Sequence, residues 1–245
     1  MHRAGTGHAV RGRISAIGLA TALALGTLVG LSSSEPAVAA TTSGQVVTVS
    51  AADSTTTWAT VDAWQRQADG RYFRVAHFPS ARIGAQGMGA ASETLSKTPV
   101  GQFRLGQGFG VQPDPGAGVP YIHVGLDDVW TGSTGSVINE HRFCAPDTCP
   151  ASYGAFERLI DYPQQYAYGA VIGYNMPPTY GTGAVAGKGS AFFLHVQNAY
   201  ATGGCVALSQ DRVIWLLKWM KAVQTPIISI GIGVAPYTII PNRYH

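Results

Sequence analysis

The chain has 245 residues, with 16 Lys+Arg against 13 Asp+Glu and a formal net charge of +3. Residues 1–39 hold three of the Arg and one Glu, so the remainder carries only about +1 and lacks the clustered basic footprint of a nucleic-acid binder. The 206 residues that follow fit a single domain with a substantial core.

The chain opens with a basic stretch (Arg3, Arg11, Arg13), runs through an apolar segment from about Ile14 to Leu31, and ends that segment on small residues. This is the three-part layout of a secretory signal over 1–39, with Ala37-Val38-Ala39 as the cleavage site. The alternative is an uncleaved membrane anchor, against which the Gly, Thr and Ser content and the short length of the segment both count. A secreted or cell-wall-associated protein is therefore expected, with membrane contact only through an uncleaved signal.

Residues 40–56 are small and polar and predict a linker. A catalytic domain is expected over 57–236 and a C-terminal tail over 237–245. Within the domain, short β-branched and aromatic runs alternate with Gly/Pro turns: "TWATVDAWQRQ", "GRYFRVAHFP", "GQFRLG", "VPYIHVGL", "YAYGAVIGYN", "SAFFLHV" and "PIISIGIGVAPYTII". Alternation of apolar with polar or small residues predicts strands joined by hairpins, and no internal repeat points to a propeller or solenoid. One amphipathic helix is predicted in "SQDRVIWLLKWMKAV", with Ser209 as N-cap, Asp211 in the first turn, and Val213, Leu216, Leu217 and Met220 on one face. A second, shorter helix is predicted in "YGAFERLIDYPQQ", closed by Pro163. The expected fold is mostly β with one main helix.

Three cysteines leave one thiol over in an exported protein. Cys144 and Cys149, five apart in "FCAPDTCP", can close a small disulfide loop, and alternative pairings such as Cys149 with Cys205 stay open. Cys205 follows two glycines in "TGGCVAL", and His195 ends the strand-like "SAFFLHV" ten residues before it. Cysteine chemistry needs a thiolate, a base, and hydrogen-bond donors where negative charge develops. Gly203 and Gly204 can take backbone angles closed to other residues and aim N–H groups beside the sulfur. A helix starting near Ser209 would bring its positive end toward the thiol. The competing reading is a core cysteine and a structural histidine. Metal binding is disfavoured, because His77, His123, His141, His195 and Cys205 are scattered, and no G-x-S-x-G marks a serine nucleophile.

The segments "KTPVGQFRLG", "SAFFLHV" and "ATGGCVAL" together resemble the L,D-transpeptidase, or YkuD-type, family of bacterial cell-wall enzymes. The first is similar to a Thr-Pro-x-Gly-x-Phe segment, the second to the strand ending in the family's histidine, and the third to its nucleophile turn. "VWTGSTGSVIN" and "YAYGAVIGYN" look like an exported actinobacterial branch, and the likeness covers about residues 57–236. Two positions depart from the motif: Gly203 stands where a second histidine is common, and Ala207 where Asn or Arg is. They bear on substrate detail and acceptor choice. The His195–Cys205 spacing is also shorter than in well-known members, which implies a more open site.

The resemblance implies a YkuD-like β-sandwich and attack on peptidoglycan stem peptides, with no metal or organic cofactor. Cys205 would be the nucleophile, attacking the carbonyl after an L-centre, expelling D-Ala, and passing the acyl group to an amine to form a 3-3 crosslink. His195 would be general base and acid, with the Val196 carbonyl orienting its ring. The N–H groups of Gly204 and Cys205, with Gly203, would form the oxyanion hole, and Thr202 matches the motif's hydroxyl residue. Hydrolysis as an L,D-carboxypeptidase, or a non-catalytic wall-binding protein of the same fold, are the alternatives. Tyr72, Phe109, Tyr121, Tyr174 and Tyr180 are candidate groove walls, though a core or surface role is the favoured reading for each.

Overall fold

The computed structural model describes residues 43–132, 139–145, 147–150, 155–176, 184–240 and 242–244. The expected signal and Tyr180 lie outside the described residues. In chain order the strands are β1 (Gln45–Ala51), β2 (Trp58–Arg66), β3 (Tyr72–Arg82), β4 (Met88–Gly89), β5 (Thr98–Pro99), β6 (Gly101–Arg104), β7 (Gly108–Gly110) and β8 (Tyr121–His123). They continue with β9 (Asp128–Thr131), β10 (His141–Phe143), β11 (Phe156–Arg158), β12 (Gly169–Val171), β13 (Phe193–Val196) and β14 (Val206–Leu208). The helix α1 (Gln210–Trp219) follows, then β15 (Ile227–Ile232) and β16 (Arg243–Tyr244). The chain is thus mostly β, with one α-helix among the described residues.

One mixed sheet runs in the order β6-β15-β1-β2-β3-β14-β13-β12-β7-β8, with β16 beside β3. A small sheet of order β10-β9-β11 lies outside it. β3 shows why these residues form a strand: its side chains alternate between more and less covered positions, which is the period of a sheet with unequal faces. The main core gathers Val47, Val49, Val61, Ile83, Leu194 and Val206. α1 closes over it with Val213, Leu216, Leu217 and Met220, all fully buried, as the 3.6-residue spacing requires. Ser209 holds the N-cap position, but its side chain caps no backbone N–H and instead bonds the Asp211 carboxylate.

Three expectations are corrected. Residues 45–51, assigned to a polar linker, form β1 in mid-sheet, parallel to β15 and antiparallel to β2. Gln45 and Thr48 are buried in it, and Thr48 accepts the Trp64 indole N–H at 2.9 Å. The short helix expected around Phe156 is instead β11 paired with β9, followed by a single 3-10 turn, Leu159–Asp161. Register with β9 outweighs weak helical periodicity there. The C-terminal tail is also part of the domain: Ile240 is fully buried with Val46, Trp64, Tyr72 and Ile227 in a second apolar cluster.

Candidate active site

The site is set by the parallel pairing of β13 with β14, in which Leu194 lies beside Val206 and His195 beside Ala207. Leu194, Val206 and Leu208 point into the main core. The period of two then sends Phe193, His195 and Cys205 to the opposite face. There Phe193 and Cys205 join a smaller apolar cluster with Phe109, Trp130, Leu159 and Tyr166.

Cys205 is a free thiol, since Cys144 and Cys149 are joined by a disulfide. Its Sγ accepts the Phe193 N–H at 3.3 Å and donates toward the Ala191 carbonyl at 3.5 Å. Burial pushes the thiol pKa up to about 12; the Phe193 N–H pulls the other way, and the Glu157 charge adds to the rise. The strand Val206–Leu208 lies in sequence between Cys205 and α1, so the thiol is outside the first turn of the helix, where a helix dipole acts most. The His195 imidazole donates from Nδ1 to the Val196 carbonyl at 2.8 Å, which leaves Nε2 as the lone-pair nitrogen. Burial pulls the His195 pKa down to about 4, against that hydrogen bond. The resting pair is therefore a neutral thiol and a neutral imidazole.

The turn before Cys205 is held by Thr202. Its Oγ1 donates to the Cys205 carbonyl at 2.6 Å and accepts the Gly204 N–H at 3.1 Å. Its main chain is tied to the preceding loop through Thr202 N–H to Ile83 and Ala85 N–H to Thr202. Gly204 has φ +142°, and a Cβ there would lie 2.5 Å from Phe192 Cε1 and 2.8 Å from the Lys97 carbonyl. The "KTPVG" segment thus packs on the turn before Cys205 and fixes a position only glycine can fill. Gly203 differs from the expectation: its φ is ordinary and a Cβ would meet nothing within 4 Å. The Gly204 N–H is also committed to Thr202, whereas among the described residues the Gly203 and Cys205 N–H groups have no protein acceptor.

Both His195 and Cys205 line a cleft of about 490 Å³, with Thr202, Gly203 and Gly204 at one wall and residues 92–96 among the others. Glu157, Tyr162 and Tyr166 also line it, and none was singled out from the sequence. Tyr166 donates its hydroxyl to Glu157 Oε1 at 2.7 Å and sets its ring edge-on to His195, with centroids 5.6 Å apart. Burial pushes the Glu157 carboxyl pKa up, opposed by the Tyr166 hydroxyl.

Of the aromatics named from sequence, the four among the described residues lie elsewhere. Tyr72 is in the second cluster, Phe109 packs behind Phe193, Tyr121 bonds the Gln112 carbonyl, and Tyr174 stacks edge-on to Phe103 and Phe192. His77 and His141 engage Asp62 and Asp128, and His123 the Val111 carbonyl.

Residues 44–228 match YkuD, the L,D-transpeptidase catalytic domain. No curated protein is similar at a significant level. Among solved structures, the helical cell shape determining protein Pgp2 from Campylobacter jejuni is similar at 16% identity and a TM-score of 0.38. That likeness covers 77% of this chain and 47% of the Pgp2 chain, so this chain spans about half of Pgp2's length.

Proposed function

The chain belongs to the YkuD family of L,D-transpeptidase catalytic domains, and from that membership we propose that it is an exported, cysteine-dependent acyltransferase acting on peptidoglycan stem peptides. The observation that carries the reading is the orientation of His195: with Nδ1 bound to the Val196 carbonyl, Nε2 is the nitrogen left to take a proton in the cleft that Cys205 shares. Cys205 attacks the carbonyl carbon after the L-centre while His195 Nε2 takes the thiol proton, so no resting thiolate is required. The Gly203 and Cys205 N–H groups receive the developing oxyanion. Imidazolium then returns the proton to the departing D-Ala amine, leaving a thioester on Cys205. Transfer to an amine of a second stem gives a 3-3 crosslink, and transfer to water gives carboxypeptidase activity.

A wall-binding protein that keeps the fold without chemistry is the rival reading, supported by the deep burial of the thiol, which is 9% exposed. A carbapenem-type acylating agent separates the two. The enzyme reading expects a mass increase that maps to Cys205, is lost in Cys205→Ala, and is strongly slowed in His195→Gln. An unlabelled wild-type protein, or D-Ala release unchanged in Cys205→Ala, would leave only the binding reading.

A further inference from the structure

The cleft carries charge of one sign. Glu93 and Glu157 are its carboxylates, His195 is neutral, and no Lys or Arg is among the described residues lining it. Glu157 is the informative one. It comes from β11, whose pairing sets it beside Trp130, and the Trp130 ring packs at 4.9 Å on Phe193, whose N–H bonds the Cys205 sulfur. Its carboxyl is largely enclosed, its one protein hydrogen bond comes from the Tyr166 hydroxyl, and it has no basic partner among the described residues. Tyr166 in turn is wedged edge-on among Phe109, Phe193 and His195, so the carboxylate is held in place rather than free to swing toward solvent. A negative charge placed here works against ionising the nearby sulfur and costs desolvation energy, both of which a bound cation would relieve.

We propose that Glu157 receives the ammonium group of the acyl acceptor and takes its proton, so that an amine rather than water resolves the Cys205 acyl-enzyme. The inference rests on the acyl-transfer reading above and names the acceptor for it. An alkylammonium carries three N–H protons, and the amide product keeps one. The Glu157 carboxylate takes the first, freeing the nitrogen lone pair to add to the thioester carbonyl carbon. As the C–N bond forms, His195 takes the second. The C–S bond then breaks with its electron pair on sulfur, and His195 hands that proton over to regenerate the neutral thiol. Glu157 releases its proton to solvent before the next acceptor binds. Burial suits the carboxylate to this task, since a raised proton affinity makes it a better acceptor from an ammonium than an exposed carboxylate would be.

The test uses the purified chain acylated at Cys205 by an uncharged peptidyl thioester and followed by intact mass. Acyl-enzyme is then offered Nα-acetyl-lysine amide as alkylammonium acceptor, hydroxylamine as an acceptor uncharged at neutral pH, and water alone. The wild type is expected to prefer the alkylammonium. Glu157→Gln, whose amide oxygen can still accept from Tyr166, is expected to lower the ratio of the alkylammonium rate to the hydroxylamine rate by roughly tenfold or more, a ratio in which the effect of the lost charge on the sulfur, common to both acceptors, cancels. On the wild type alone, the Nε-trimethylated lysine derivative is expected to compete with the alkylammonium acceptor but not with hydroxylamine. An unaltered preference in Glu157→Gln, or no competition by the trimethylated compound, would overturn the inference while leaving acyl transfer intact. A wild type that never takes up the acyl group would remove both.

Discussion

His195 enters the folded state at a cost that depends on pH. Its pKa falls from 6.5 to about 4 on burial, so below pH 6.5 the unfolded chain binds a proton that the folded chain does not. This contribution to stability is complete above that pH and is lost as pH falls toward 4, at about 1.4 kcal/mol per unit. The melting temperature of the wild type should therefore fall more steeply with acid than that of His195→Gln; parallel curves would contradict the buried neutral imidazole. The two glycines before Cys205 make a second contrast. Gly204→Ala forces a Cβ against Phe192 and the Lys97 carbonyl at positive φ, and is expected to cost about 2–4 kcal/mol and to slow labelling of Cys205. Gly203→Ala meets open space and should sit within about 0.5 kcal/mol of wild type by denaturant midpoint. The sequence shows both glycines beside a cysteine, but only the backbone angles and the approach of Lys97 say which one is obligatory. That His195, Cys205 and Thr202 share one cleft is legible from residue type and spacing. Glu157 is not: a lone glutamate in "GAFERLI" reads as one exposed position of a short helix, and its meaning arises only when β11 pairs with β9.

At the scale of elements, alternation carries most strands and the 3.6-residue apolar spacing carries α1, because each buries one face against the same core. The pattern fails where both faces are covered. β1 reads as "QVVTVSA", with Gln, Thr and Ser between its valines, and looks like exported linker. Thr48 is in fact fully buried and bonded to Trp64, and Gln45 bonds the Trp219 carbonyl at 2.8 Å. Local composition cannot show that partners for these groups come from residues 64 and 219, distant in sequence. A chain beginning at residue 57 would leave β15 and β2 without the strand between them. Such a chain is expected to show no cooperative unfolding transition by circular dichroism, whereas one beginning at residue 43 should melt as the full chain does; equal transitions would contradict a structural role for β1.

Across the whole molecule, the sheet has a covered face on each side, and the second cover is made by sequence after the family-matched region. Residues 44–228 carry the site, yet the face of β1 and β2 that turns away from the main core is closed by Tyr237, Ile239 and Ile240. Tyr237 donates its hydroxyl to Asp62, 2% exposed, at 2.9 Å, and sets its ring edge-on to Trp64. Asp62 also bonds His77 at 2.6 Å, so removing Tyr237 strips one of its hydrogen bonds while opening the apolar cluster around Ile240. Burying an aliphatic side chain of that kind contributes about 1.5–3 kcal/mol, and an unsatisfied buried acceptor costs about 1–3 kcal/mol. A chain ending at residue 236 should accordingly lose several kcal/mol, and hydrogen exchange at the Trp64 indole N–H should speed up. Because β1 also pairs with β2, and β2 leads through β3 to β14, which directly follows Cys205, this loss should appear at Cys205 as faster alkylation by a small neutral reagent. Unchanged indole exchange would mean that the tail rests on the sheet without stabilising it; faster exchange with unchanged alkylation would mean that the two faces of the sheet open independently.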